Sequence, residues 1–247
     1  MRMLAIALVV TAVTSMAQTA TGEIRGQVGD PAGQLTSSMR GLIVDPTLAR
    51  VANATVEAVS SEARFVTTTD GMGEFYFPNL QPSSYAIRVQ GLGFFPATVR
   101  GIVLRGGEMR LVPAIPLMVG EASCHRVAFV LEAVPAGRTG EIRGTLLQQV
   151  YGTADRTALA KAPVEVAQDF GRETIQQTAT DQMGLFRFVA LPPGRYWLRI
   201  RETGVEFALV VGEWDVIMEP VLARVHRCPE SGCDEEHFPV EPVITVC

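Results

Sequence analysis

At 247 residues, with 47% hydrophobic and 19% charged side chains, the chain lies far from the low-hydrophobicity, high-charge regime of disorder. Its 26 acids against 21 bases leave a net charge of −5, without the basic excess or stripe of a nucleic-acid binder, and 23 glycines without a period exclude collagen. Lys161 is the one lysine among the bases. From the N-terminus, Met1-Arg2-Met3 carries positive charge, residues 4–13 form a short apolar run, and Ser15-Met16-Ala17 places small residues at −3 and −1 of a cleavage site. This pattern predicts a secretory signal peptide over residues 1–17, with Ala20 as the second choice of cleavage point and a buried N-terminal helix as the other reading. The run is shorter than the roughly 20 residues that span a bilayer, and no later stretch is long and apolar enough. An exported mature chain, periplasmic or extracellular and without a membrane span, is therefore expected.

Further along, the chain repeats itself. Residues 69–85 read T-D-G-M-G-E-F-Y-F-P-N-L-Q-P-S-S-Y and residues 180–196 read T-D-Q-M-G-L-F-R-F-V-A-L-P-P-G-R-Y, in register from Thr69 to Thr180, 111 residues apart. Ala54-Thr55-Val56-Glu57-Ala58 is echoed by Ala162-Pro163-Val164-Glu165-Val166, and Gly22-Glu23-Ile24-Arg25-Gly26 by Gly140-Glu141-Ile142-Arg143-Gly144. Two copies of one module follow.

The local pattern is β. Phe75 and Phe77, like Phe186 and Phe188, alternate with an outward residue, so each pair faces a core. Thr-Asp-x-x-Gly just before them is turn chemistry: Asp bonds its own backbone two residues on, and Gly accepts positive φ. Tyr85 and Tyr196 open the next strands with their rings inward. Further strands are expected over residues 64–69, 97–104, 109–117, 174–180, 205–211 and 214–218. The first strand of copy one is either residues 24–28 or residues 39–44, the latter leading into 51–59. The apolar run 127–133 either finishes copy one or bridges the copies.

The repeated pattern T-D-x-x-G-x-F-x-F-x-x-L-x-P-x-x-Y resembles the carboxypeptidase regulatory-like domain. The resemblance implies an all-β fold: two tandem seven-stranded transthyretin-like (Ig-like) β-sandwich domains after the signal peptide. The domains would cover 22–120 and 140–225, with 121–139 as linker or bridging strand and 226–247 as a Cys-rich C-terminal tail. Such modules serve as accessory domains of secreted peptidases, adhesins and outer-membrane receptors, and the wider fold group is called carbohydrate-binding-like. The resemblance implies no enzyme activity and no cofactor. It points to an envelope or extracellular protein partner, or to a polysaccharide. For the polysaccharide, the out-of-phase or turn aromatics Tyr76, Phe95 and Trp197 are the stacking candidates, with Phe94 beside them.

Catalytic signatures are not found. There is no His-Glu-x-x-His, no Gly-x-Ser-x-Gly and no phosphate loop. Asp70 and Asp181 read as turn caps rather than calcium ligands, because calcium takes about 6–8 oxygens. An intramodule Lys–Asn cross-link is excluded by composition, which leaves an Asp-linked bond at Lys161. The four cysteines of an exported chain predict two disulfides. Cys124 follows Pro116, and Cys228 follows Pro220, by eight residues. Cys228–Cys233 with Cys124–Cys247 is the first choice, and Cys124–Cys228 with Cys233–Cys247 the second. The alternative is a metal site of His226, Cys228, Cys233 and His237.

Overall fold

Alternation of apolar and polar residues yields strands along the whole described chain. The computed structural model describes residues 35–120, 127–135, 137–150, 154–168, 173–201, 203–225 and 244–246. The first half holds β1 (Ser37–Val44), β2 (Thr55–Val59), β3 (Arg64–Thr68), β4 (Glu74–Leu80), β5 (Ser83–Gln90), β6 (Ala97–Leu104), β7 (Met109–Leu111) and β8 (Ile115–Pro116). Between the halves come β9 (Val119–Gly120) and β10 (Phe129–Ala133). The second half holds β11 (Gly140–Val150), β12 (Arg156–Ala158), β13 (Pro163–Gln168), β14 (Thr174–Ala179), β15 (Leu185–Leu191), β16 (Gly194–Ile200), β17 (Val205–Val211), β18 (Trp214–Val225) and β19 (Ile244–Val246). The described residues contain no helix, hence none long and apolar enough to cross a membrane.

Three sheets result, in an all-β arrangement consistent with a β-sandwich. One has the order β4-β1-β7, with β8 also on β1. A second has the order β14-β13-β16-β17-β9. The third is continuous across both halves, β12-β11-β18-β10-β6-β5-β2-β3, with β15 on β11 and β19 on β18.

Pairings of the first half recur in the second. β1 pairs antiparallel with β4 through Met39↔Phe77 and Gly41↔Phe75, and β11 pairs with β15 through Ile142↔Phe188 and Gly144↔Phe186. Both ladders are irregular at their start, between Ser37 and Met39 and between Gly140 and Ile142. β1 runs parallel to β7, as β11 does to β18. The sequence alternative for the first strand is thereby decided: the place that Ile142-Arg143-Gly144 holds in β11 is held in β1 by Met39-Arg40-Gly41. Residues 24–28 lie outside the described residues.

The glycine of that pair has a packing reason. A Cβ on Gly41 would come within 2.6 Å of Phe75 Cζ, and one on Gly144 within 2.7 Å of Phe186 Cζ. The tip of each phenylalanine ring therefore occupies the space that a side chain on the facing strand would fill.

The threonine, aspartate, shared glycine and closing tyrosine of the repeated motif are committed to the fold. Thr69 Oγ1 accepts the Ala54 N–H at 2.8 Å and donates to Val51 O at 2.8 Å. Thr180 repeats this with the Ala162 N–H at 2.9 Å and Leu159 O at 2.5 Å. Asp70 Oδ1 accepts the N–H groups of Met72 and Glu74 at 2.8 and 2.9 Å, and Asp181 Oδ1 those of Met183 and Leu185 at the same distances. Gly73 and Gly184 take φ of 73° and 76°. The Tyr85 hydroxyl donates to Gln81 O at 2.9 Å and that of Tyr196 to Pro192 O at 2.5 Å, fastening each strand to the turn before it.

The core is one continuous apolar cluster through both halves. Phe75, Phe77, Phe186, Phe188, Tyr85 and Tyr196 are all at most 3% exposed. Burial raises the ionisation of both tyrosines above its ordinary range.

Candidate interaction surfaces

The richest cluster of charge lies on the outward side of the continuous sheet, where β15, β11, β18 and β10 run side by side. Glu141, Arg143, Asp215 and Glu132 alternate with the core residues Ile142, Leu131 and Val216, so period 2 turns them away from the core. Glu141 is nonetheless buried, because arginines close over it. Arg187 Nη2 donates to Glu141 Oε2 at 2.6 Å and Arg143 Nη1 to Oε1 at 3.3 Å. Arg143 Nη2 reaches on to Glu132 Oε2 at 2.9 Å. Burial alone would raise the Glu141 carboxyl, but the hydrogen bond and charge of Arg187, with Arg143 behind it, hold it below the ordinary carboxylate range. Glu141 in turn raises the Arg187 guanidinium above its ordinary value. Asp215, 4% exposed, pairs with Arg138 from the loop before β11.

Two shallow depressions occupy equivalent places in the two halves. One of about 500 Å³ is lined by Arg40, Glu74, Leu111 and Pro113, and reaches Glu213 of the second half. The other, about 520 Å³, is lined by Arg143, Thr145, Asp181, Leu185 and Arg187.

The stacking candidates do not come together. Tyr76 is 52% exposed on β4, in one cross-strand row with Arg40 and the exposed Leu111. Trp197 is half-buried on β16, in a different sheet and the other half. Phe95 is 8% exposed, its ring 5.9 Å from that of Phe129 and 5.6 Å from that of Phe207. Phe94 is partly buried against the same core.

Lys161 sits exposed at a turn with φ of 61°, where its N–H bonds Thr180 O at 2.8 Å. The cysteines Cys124, Cys228, Cys233 and Cys247 and the histidines His226 and His237 lie outside the described residues. Among the described residues no group of three His, Cys, Asp or Glu converges as a metal cage. Sequence reasoning missed the Glu141–Arg143–Arg187 cluster. Its signal was present in Gly140-Glu141-Ile142-Arg143, where a Glu and an Arg flank a core Ile at period 2.

Residues 38–114 match the family model of the carboxypeptidase regulatory-like domain, so that part of the first half is similar to this family. No curated protein matches the chain. Among solved structures, the chain is similar to the Bacillus anthracis TIE protein, at 16% identity and a TM-score of 0.29, over 77% of this chain and 34% of that one. It is similar to a streptococcal ancillary pilin at 15% identity and a TM-score of 0.24, over 72% of this chain and 59% of the pilin. The major pilin subunit BcpA of Bacillus cereus follows at 9% identity and a TM-score of 0.30, over 77% of this chain and 98% of the pilin. The chain thus spans about a third and under two thirds of the first two proteins. Similarity at this level says nothing of what the chain does.

Proposed function

We propose that this is an exported, non-catalytic protein in which two copies of a carboxypeptidase regulatory-like β-sandwich serve as a structural or protein-interaction module, at the cell envelope or outside the cell. The carrying observation is that Thr69, Asp70, Gly73 and Tyr85, with their counterparts Thr180, Asp181, Gly184 and Tyr196, are committed to hydrogen bonds and turns of the fold. The most conspicuous repeated residues thus hold strands and turns rather than a reacting group. Export rests on the charged, apolar and small-residue pattern of residues 1–17.

Carbohydrate binding is the second reading, and one observation favours it: Tyr76 stands exposed beside Arg40, an aromatic face with a polar neighbour.

Fractionation of cells expressing the full chain, with sequencing of the mature N-terminus, tests the first reading. The expected product lies outside the cytoplasm and begins at Gln18; uncleaved chain confined to the cytoplasm contradicts it. Affinity electrophoresis in soluble polysaccharides tests the second. Retardation abolished by Tyr76→Ala would replace the first reading with the second.

A further inference from the structure

Among the described residues between the halves, β10 joins one half to the other. β10 has hydrogen-bonded neighbours on both sides, and they belong to different halves. It runs parallel to β6 through Phe129↔Ala97, Val130↔Thr98 and Leu131↔Val99. It runs antiparallel to β18 through Phe129↔Met218, Leu131↔Val216 and Ala133↔Trp214. A sheet of the first half thereby continues without a break into a sheet of the second. β9 crosses over as well, pairing with β17 at Phe207 and Ala208.

Side chains close the seam on the core side. Phe95 of the first half, Phe129 of β10 and Phe207 of the second half form a three-ring cluster with centroids 5.6–5.9 Å apart. The Trp214 indole N–H donates to Ala114 O across the halves at 2.8 Å. On the outward side the buried Asp215 holds Arg138, which follows β10 in the chain. Backbone bonds from Phe129 N–H to Pro96 O and from Glu219 N–H to Ala128 O, both 3.0 Å, tie the entry of β10 to either half.

A flexible linker would be polar and solvated, and would leave each half its own core. Here the linking strand is buried on its core side, with Phe129 1% and Leu131 0% exposed, and the core does not divide. We propose that β10 is a splint: it makes the two halves one rigid body that folds and unfolds as a unit, with a fixed distance and orientation between them. This deepens the structural reading above, but its test is independent of export and of ligand.

The test is urea unfolding of the mature chain in dithiothreitol, so that no disulfide can supply the coupling. Trp214 reports on the seam, since its indole bonds Ala114 O, so the measurement is made in a Trp214→Phe background, in which Trp197 on β16 reads the second half alone while circular dichroism reads all strands. Ile87→Val trims the first-half core on β5, where Ile87 is fully buried. The expected result is a single transition in which the fluorescence midpoint falls by the same urea concentration as the circular-dichroism midpoint. A fluorescence midpoint that stays put while dichroism develops an earlier phase overturns the splint. Phe129→Ala is expected to split the transition in two; one coincident transition in that variant would also overturn it. Should Phe129→Ala fail to fold, Ile87→Val still decides.

Discussion

Gly184 occupies a place at the turn of the repeated motif that leaves no room for a side chain. Its φ is 76°, and an added Cβ would fall 2.2 Å from the backbone oxygen of Leu146, which cannot move aside as a side-chain tip can. Gly93 has a similar φ of 84° but open space around it. Gly93→Ala should therefore cost only the left-handed strain of about 1–2 kcal/mol. Gly184→Ala should cost clearly more, since it adds an overpacking penalty of about 1–3 kcal/mol. Equal losses in chemical denaturation would contradict the close approach. Ala190 is the reverse case. It sits at φ 58° where the first half has Asn79 at φ 55°, and Asn tolerates this region better. Ala190→Asn should stabilise the chain by about 0.5–1 kcal/mol; a lowered thermal midpoint would contradict this. At this scale the sequence was highly legible. The Asp caps, the glycine turns and the phase of Phe75, Phe77, Phe186 and Phe188 are local chemistry, and all stand as their spacing predicts. Phe95 was not legible, because its burial depends on Phe129 and Phe207, which come from distant parts of the chain.

Among elements, strands marked by alternation were readable and their partners were not. Residues 97–104 and 205–211 are strands to the residue, whereas 109–117 divides into β7 and β8 and the strand beginning at Trp214 runs on to Val225. β18 is long because β11 beside it is long, a pairing between segments some seventy residues apart in sequence. The run 127–133 left two roles open, and pairing on both sides makes it a bridge. The charged outward side of these strands has a pH signature. The Glu141 carboxyl is held below its ordinary range in the folded protein, so its contribution to stability is complete above the unperturbed glutamate value of about 4.3 and is lost as pH falls through the lower folded value. Glu141→Gln should be less stable than the native chain at pH 7, with the gap closing as the pH falls below that range. A gap that does not change between pH 7 and pH 3 would contradict the Arg187 and Arg143 pairing.

For the whole molecule, what matters is the way the first and second halves are joined. Two sandwiches on a loose linker would be two independent modules. Here one sheet runs through both halves and the apolar core does not divide between them. The most direct measurement is native-state hydrogen exchange at single-residue resolution. Amides of β10 should open only with the global transition, at the same free energy as core amides such as Ile87 in the first half and Leu198 in the second. Fast exchange across residues 129–133, with both halves still protected on either side, would show two modules on a tether and contradict the account.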